Sequence, residues 1–97
     1  MNTYVVLINF TEQGIRNIKD SPKRAAAATE LARGFGLEIR DIFWTLGAFD
    51  GVVLLEAPND QALTSWALKV SSLGNVRTQT LRAFRTNEIE KILAHVS

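Results

Sequence analysis

Residues 49–60, Phe49-Asp50-Gly51-Val52-Val53-Leu54-Leu55-Glu56-Ala57-Pro58-Asn59-Asp60, decide how this chain folds. Successive side chains of a strand point to opposite faces, so Val53 and Leu55 lie on one side and Val52 and Leu54 on the other. Both sides are apolar, which is the pattern of a strand covered above and below. Pro58 cannot continue the ladder, and Asn59-Asp60 is a helix start signal. A chain of 97 residues has few elements with which to cover two faces of a sheet, so something outside it is expected to cover one.

The segment before this strand predicts its hairpin partner. Leu37 to Leu46 places Leu37, Ile39 and Phe43 on one face and Ile42, Trp44 and Leu46 on the other, and Gly47-Ala48 supplies a tight turn. Further upstream, Thr3 to Phe10 is a β-branched and aromatic run, again apolar on both faces, that stops at the helix cap Thr11. The helical segment after it is expected to break near Asp20, because Ser21-Pro22 is a fresh start signal with proline at the first helical position. Ala25, Ala28, Leu31, Ala32 and Phe35 then keep a three-and-four spacing up to the left-handed stop Gly36, and the alanines imply close packing on a sheet.

Downstream, Leu63, Trp66, Ala67 and Val70 form the stripe of a helix ending at Gly74, and Val76 to Phe84 reads as a fourth, more polar strand. Thr86 is expected to cap a last helix with Ile89, Ile92, Leu93 and Val96 on one side. Strand, helix, strand, strand, helix, strand plus a terminal helix is the order of a ferredoxin-like α+β sandwich, here one domain over residues 1–97. That topology puts the first and third strands, the two doubly apolar ones, at the centre. Two helices cover one face, and a second subunit of a homodimer is expected on the other, using interface positions among Val52, Val53 and Leu54.

Composition narrows the partners. Eleven basic residues against ten acidic ones leave a formal charge of +1, which gives no global field for a phosphate backbone. An RNA-recognition domain shares this order of elements, but Val6 and the run Asp50 to Leu55 lack its stacking aromatics, so nucleic-acid binding is not expected. Without cysteine, thiolate chemistry and disulfides are excluded, and a single histidine, His95, is too poor a ligand set for the usual transition-metal sites. No cofactor is expected. No signal peptide is expected at the amino terminus and no apolar run approaches the roughly 20 residues that span a bilayer, so the expectation is a cytoplasmic protein without membrane attachment.

Asn9-Phe10-Thr11 with Gly14, Ser21-Pro22 with Arg24, Gly47-Ala48-Phe49-Asp50, Glu56-Ala57-Pro58 and Gly74-Asn75-Val76-Arg77-Thr78 together resemble the GYD family of small proteins, and these segments span nearly the whole chain. The resemblance implies a dimeric α/β barrel in which two ferredoxin-like units stack their sheets. The family's naming triplet is glycine, tyrosine, aspartate. Ala48, Phe49 and Asp50 stand there in this chain, so a role resting on the tyrosine hydroxyl has no bearer, whereas one resting on the carboxylate survives.

The candidate site residues follow from position. Asp50 leaves a turn into an apolar strand, where a carboxylate can act as a base or simply accept backbone N–H groups of the turn. It is the one weak candidate for a catalytic residue. Asn9 and Arg82 lie on strands that neighbour each other in this topology and are expected to orient an oxygen-rich ligand together, beside Thr78, Thr80 and Arg77; strand formers and an edge-protecting arginine are the plainer reading. Trp44 and Trp66 are candidates for a cavity wall or for plain core. The functional expectation is a homodimeric small-molecule-binding domain with no assigned reaction. The alternatives are a cofactor-independent oxygenase or isomerase, drawn from fold analogy, and a structural or protein-interaction module.

Overall fold

Backbone pairing in the computed structural model, which describes residues 1–96, builds one antiparallel sheet. Ser97, the last residue of the expected domain, lies outside the described residues. The strands are β1 (Asn2–Phe10), β2 (Glu38–Trp44), β3 (Gly51–Ala57) and β4 (Val76–Ala83), in the order β2-β3-β1-β4. The helices are α1 (Glu12–Arg16), α2 (Ser21–Gly34), α3 (Asp60–Ser72) and α4 (Thr86–Leu93), with a short 3-10 turn at Ile18–Asp20 between α1 and α2. The fold is the ferredoxin-like α+β sandwich, with β1 and β3 central and a fourth helix appended.

Local chemistry accounts for the boundaries. Thr11 caps α1 by accepting the Gly14 N–H at 3.1 Å, and Asn59 caps α3 by accepting the Ala62 N–H at 2.9 Å. Gly36 and Gly74 end α2 and α3 with φ of +78° and +87°, a region that costs a residue with a Cβ. The start of α4 differs from expectation. Arg85, not Thr86, is the cap residue, and Glu88 reaches back to accept the Arg85 N–H at 3.1 Å.

Register assigns the faces. Tyr4, Val6 and Ile8 of β1 stand opposite Leu55, Val53 and Gly51 of β3, and this face carries the buried core with Ala57, Leu63 and Trp66. Val5 and Leu7 stand opposite Leu54 and Val52 on the other face, where they are less deeply buried. Of the three interface positions offered by the sequence, Val53 therefore belongs under the helices, at 7% exposure, and only Val52 and Leu54 face outward. In β2 a bulge between Ile39 and Asp41 resets the alternation: Ile39 pairs with Leu55, Ile42 with Val53 and Trp44 with Gly51. Ile39 thus joins Ile42 and Trp44 on the helix side while Phe43 turns to the open side, which corrects the simple alternation.

The open face is uncovered within one chain. Phe43 is 55% and Leu81 44% exposed there. Among the described residues helix α4 packs extensively on no other element; Arg82–Glu88 (3.4 Å) and Arg85–Glu56 (3.4 Å) hold its base. Its apolar stripe of Ile89, Ile92 and Leu93 remains substantially exposed.

Candidate functional site

Between the helix face of the sheet and helices α2 and α3 lies a cavity of about 380 Å³. Ile8 and Val53 belong to its sheet side, Ala25 and Ala28 to α2, and Trp66 and Val70 to α3. The alanines expected to bring the helix close do so most fully at Ala32, which is completely buried, with Ala28 packed against the core in part. One to two turns earlier, Ala25, Ala27 and Ala28 border the cavity instead, because their short side chains leave the space between helix and sheet unfilled.

Two indoles mark the cavity's depth. Trp66 is 2% exposed and donates its Nε1–H to the Ala28 carbonyl at 2.9 Å. Trp44, at the last position of β2, is 51% exposed and donates to Ser21 Oγ at 2.9 Å. Trp66 thus forms inner wall and Trp44 stands at the mouth. Ser21 and Arg24, one turn apart on α2, bring polar groups to that mouth.

Arg24 is the unusual member. Its Nη1 donates to the Asn17 carbonyl at 2.7 Å and its Nη2 to the Gly14 carbonyl at 3.2 Å, which ties α2 to the end of α1. The guanidinium carbon lies 6.0 Å from the centre of the Phe10 ring. Nε, however, is buried and has no hydrogen-bond acceptor. A buried donor left unpaired costs about 1–3 kcal/mol, more when it is charged. Arg24 and Lys69 are the ionisable groups bordering the cavity, and neither has a carboxylate within 4 Å among the described residues.

This end of the sheet is held by a clasp between two chain junctions. Thr11 donates its N–H to the Asn75 carbonyl at 3.0 Å and its hydroxyl to the Gly74 carbonyl at 2.6 Å, while the Gln13 side-chain amide donates to the Leu73 carbonyl and to Asn75 Oδ1. Gly14 sits so close beneath Asn75 that an added Cβ would lie 2.1 Å from its carbonyl oxygen. Asp50 locks the third junction: its N–H donates to the Ile8 carbonyl at 2.8 Å and its Oδ2 accepts the Phe10 N–H at 2.9 Å.

The candidate residues fall in three places. Trp44 borders the cavity. Asn9 is opposite Arg77, and Asp50 stands at the same end of the sheet, where its observed partner is backbone. Arg82 is opposite Tyr4, at the far end and on the helix side, so the expected meeting of Asn9 with Arg82 does not occur. Strands β1 and β4 are neighbours, but antiparallel pairing sets the start of β4 against the end of β1. Arg82 instead donates to the Thr3 carbonyl at 3.3 Å and to that of Ala83, reaches Glu88, and lies 5.6 Å from the Tyr4 ring and 4.5 Å from that of Phe84. It organises the root of α4.

The charges at this far end are mutually adjusted. Burial, then donation of its O–H to Asp60, pushes the Tyr4 phenol above its ordinary pKa of 10.0. A hydrogen bond from Arg40 holds Glu56 below the ordinary 4.5, with Arg85 adding to it, and the Arg85 N–H does the same for Glu88. Among the described residues no cluster of three histidine, aspartate or glutamate side chains forms a metal-binding group.

Ser21 and Arg24 were not read as site residues from the sequence, although a signal was present. Residues 21, 24, 25, 28, 31 and 32 make one continuous helical stripe, and the first two are polar on a side that is otherwise apolar. That combination marks a polar group turned inward.

A ferredoxin-like domain with an apolar cavity under its helices and an uncovered sheet face is the class that fold and site define. The GYD domain model matches residues 4–93, and the chain belongs to that family. A curated relative from Thermus thermophilus, the glutamine synthetase and cystathionine beta-lyase binding protein, is 32% identical over 84 residues, covering 86% of this chain and 88% of the relative. The crystal structure of TTHA0845, also from Thermus thermophilus, is similar with a TM-score of 0.57 and 26% sequence identity, over 89% of this chain and 96% of that one.

Proposed function

We propose that this chain is a homodimeric small-molecule-binding domain whose ligand occupies the cavity between the sheet and helices α2 and α3. The observation that carries the reading is the cavity itself: about 380 Å³, bordered mainly by apolar residues with a few polar ones among them, as small-molecule sites are. No carboxylate and no imidazole borders it among the described residues, which favours binding over general-base turnover. Asp50, the one catalytic candidate, is spent on the Phe10 N–H.

The dimer part rests on the open face. A compact chain of this length would have a radius of gyration of about 12.5 Å, against 14.6 Å here, and the surplus fits an α4 that stands away from its own chain. A second copy stacking Val5, Leu7, Val52 and Leu54 against their equivalents would bury that face and give α4 a surface to lie on. A cytoplasmic setting, in keeping with a chain free of cysteine, belongs to the same proposal. Among the described residues no helix is long and apolar enough to cross a membrane.

A protein-interaction module is the second reading, favoured by the relative named for the two enzymes it binds and by the exposed stripe of α4. Mass spectrometry of protein purified without added ligand separates the two. A small-molecule adduct released on denaturation supports the cavity reading. Adduct-free protein in which the α4 stripe, but not the cavity, is protected from hydrogen exchange by a co-purified protein supports the second and counts against the first.

A further inference from the structure

We infer that the cavity takes a small uncharged molecule of hydrocarbon character, held by apolar burial rather than by a polar anchor; this rests on the cavity being the ligand site. The polar groups at its border are already engaged within the chain. Trp66 donates its Nε1–H to the Ala28 carbonyl, and Trp44 donates its own to Ser21 Oγ. The Thr29 hydroxyl donates to the Ala25 carbonyl at 2.9 Å, one turn back along α2. Asn75 accepts the Gln13 amide at Oδ1 and the Thr11 N–H at its carbonyl.

The two cations at the border do not change this. The Nη groups of Arg24 donate to Asn17 and Gly14, and its Nε is buried without accessible surface, so it does not meet the space of the cavity. Lys69 is an exposed residue of α3, and a lysine stem borders apolar space while its ammonium stays in water. What remains to meet a ligand is chiefly alanine, aliphatic and aromatic side chain, from Ile8 and Val53 on the sheet to Ala28 and Val70 on the helices.

Desolvation then chooses the ligand. An ionised head group entering this space loses its hydration and finds no partner to replace it, which an apolar environment makes costly. A hydrocarbon body has no such loss, and removing its surface from water is itself the driving force. Volume sets the size: about 380 Å³ lies near the lower end of the roughly 300–1,000 Å³ spanned by small-molecule sites, which suits one ring with a short chain. The short side chains of Ala25 and Ala28 keep that volume open, since both border it and neither is fully buried.

The test uses butylbenzene, 4-phenylbutanoate and 4-phenylbutylammonium as probes, which share a ring and chain and differ in whether the chain carries a charge. Binding is followed by the fluorescence of Trp44 and Trp66, the chain's two tryptophans, both of which border the cavity. Butylbenzene is expected to bind at least about tenfold more tightly than either ion. Ala28→Leu, which fills the space from the helix side, is expected to weaken butylbenzene at least about tenfold, with circular dichroism reporting that the chain stays folded. Should that variant fail to fold, Ala25→Leu fills the same space one turn earlier. If either ion binds within tenfold of butylbenzene while a folded filled variant loses it, the uncharged class is overturned and the cavity reading stands. If butylbenzene binds the folded filled variant as it binds the unmodified protein, or if no probe perturbs either tryptophan up to its solubility limit, the cavity reading falls, and this inference with it.

Discussion

On the helix side of the sheet, Val6, Val53 and Leu55 are sealed by α2 and α3, while their immediate predecessors Val5, Val52 and Leu54 remain partly exposed on the open side. Both sides are apolar, yet only one has a cover within the chain. Equal hydrophobicity with unequal burial separates two tasks: the covered side builds a core and keeps a cavity in it, and the open side is the one proposed to meet a second copy.

The largest expected effects come from placing the same charge on the two sides. Val53→Asp puts an uncompensated carboxylate into the core, at a cost of about 3–5 kcal/mol, and far-ultraviolet circular dichroism should show an unfolded chain. Leu54→Asp, one residue away, should leave the fold intact and yield a monomer in sedimentation equilibrium. Two unfolded variants, or two unaffected dimers, would erase the distinction between the faces.

The clasp at the cavity end gives the next effect. Gly14→Ala forces a methyl against the Asn75 carbonyl, where the ideal Cβ lies 2.1 Å away, and should destabilise by about 1–3 kcal/mol in thermal denaturation. Gly34→Ala, at the end of α2 with nothing within 4 Å of its Cβ, should stabilise by about 0.4–1 kcal/mol. Asp50→Ala should cost about 1.5–3 kcal/mol through the lost bond to the Phe10 N–H, and Asp50→Asn less, since an amide oxygen still accepts. Neither should remove a small-molecule adduct from the purified protein, because Asp50 does not border the cavity.

Much of the architecture was legible because it rests on local chemistry. The caps Thr11 and Asn59, the stops Gly36 and Gly74 and the doubly apolar run from Val52 to Leu55 each carry their physical reason in the residues themselves. What depends on register was not legible. The bulge between Ile39 and Asp41 is a backbone event with no glycine or proline to announce it, and it moved Ile39 and Phe43 to opposite sides. The pairing of Asn9 with Arg82 was a matter of counting along an antiparallel ladder, and Arg77 is the residue that lies opposite. At the cavity, Trp44 was named from its position and the polar residues 21 and 24 on an apolar stripe were a signal left unread, but the unpaired nitrogen of Arg24 emerges only once Gly14 and Asn17 have claimed its neighbours.

The smallest effects are those of pH, and both sit at the end of the sheet remote from the cavity. Glu56 and Glu88 titrate lower in the folded chain than the ordinary 4.5, so the stability they confer is present above that value and is lost as pH falls through their folded pKa. Tyr4 titrates above 10.0 when folded, so its contribution is complete below pH 10 and is lost as pH rises through the folded value. Denaturant midpoints measured across pH should decline at both extremes. Glu56→Gln should flatten the acid limb and Tyr4→Phe the alkaline one.

The account's central claim, that a second copy covers the open face, is tested most directly by native mass spectrometry of the unmodified protein over a range of concentrations. The predicted result is a species at twice the 10.8 kDa chain mass, reduced to the single-chain mass by Leu54→Asp. A folded species at 10.8 kDa throughout, unchanged by that substitution, would contradict it.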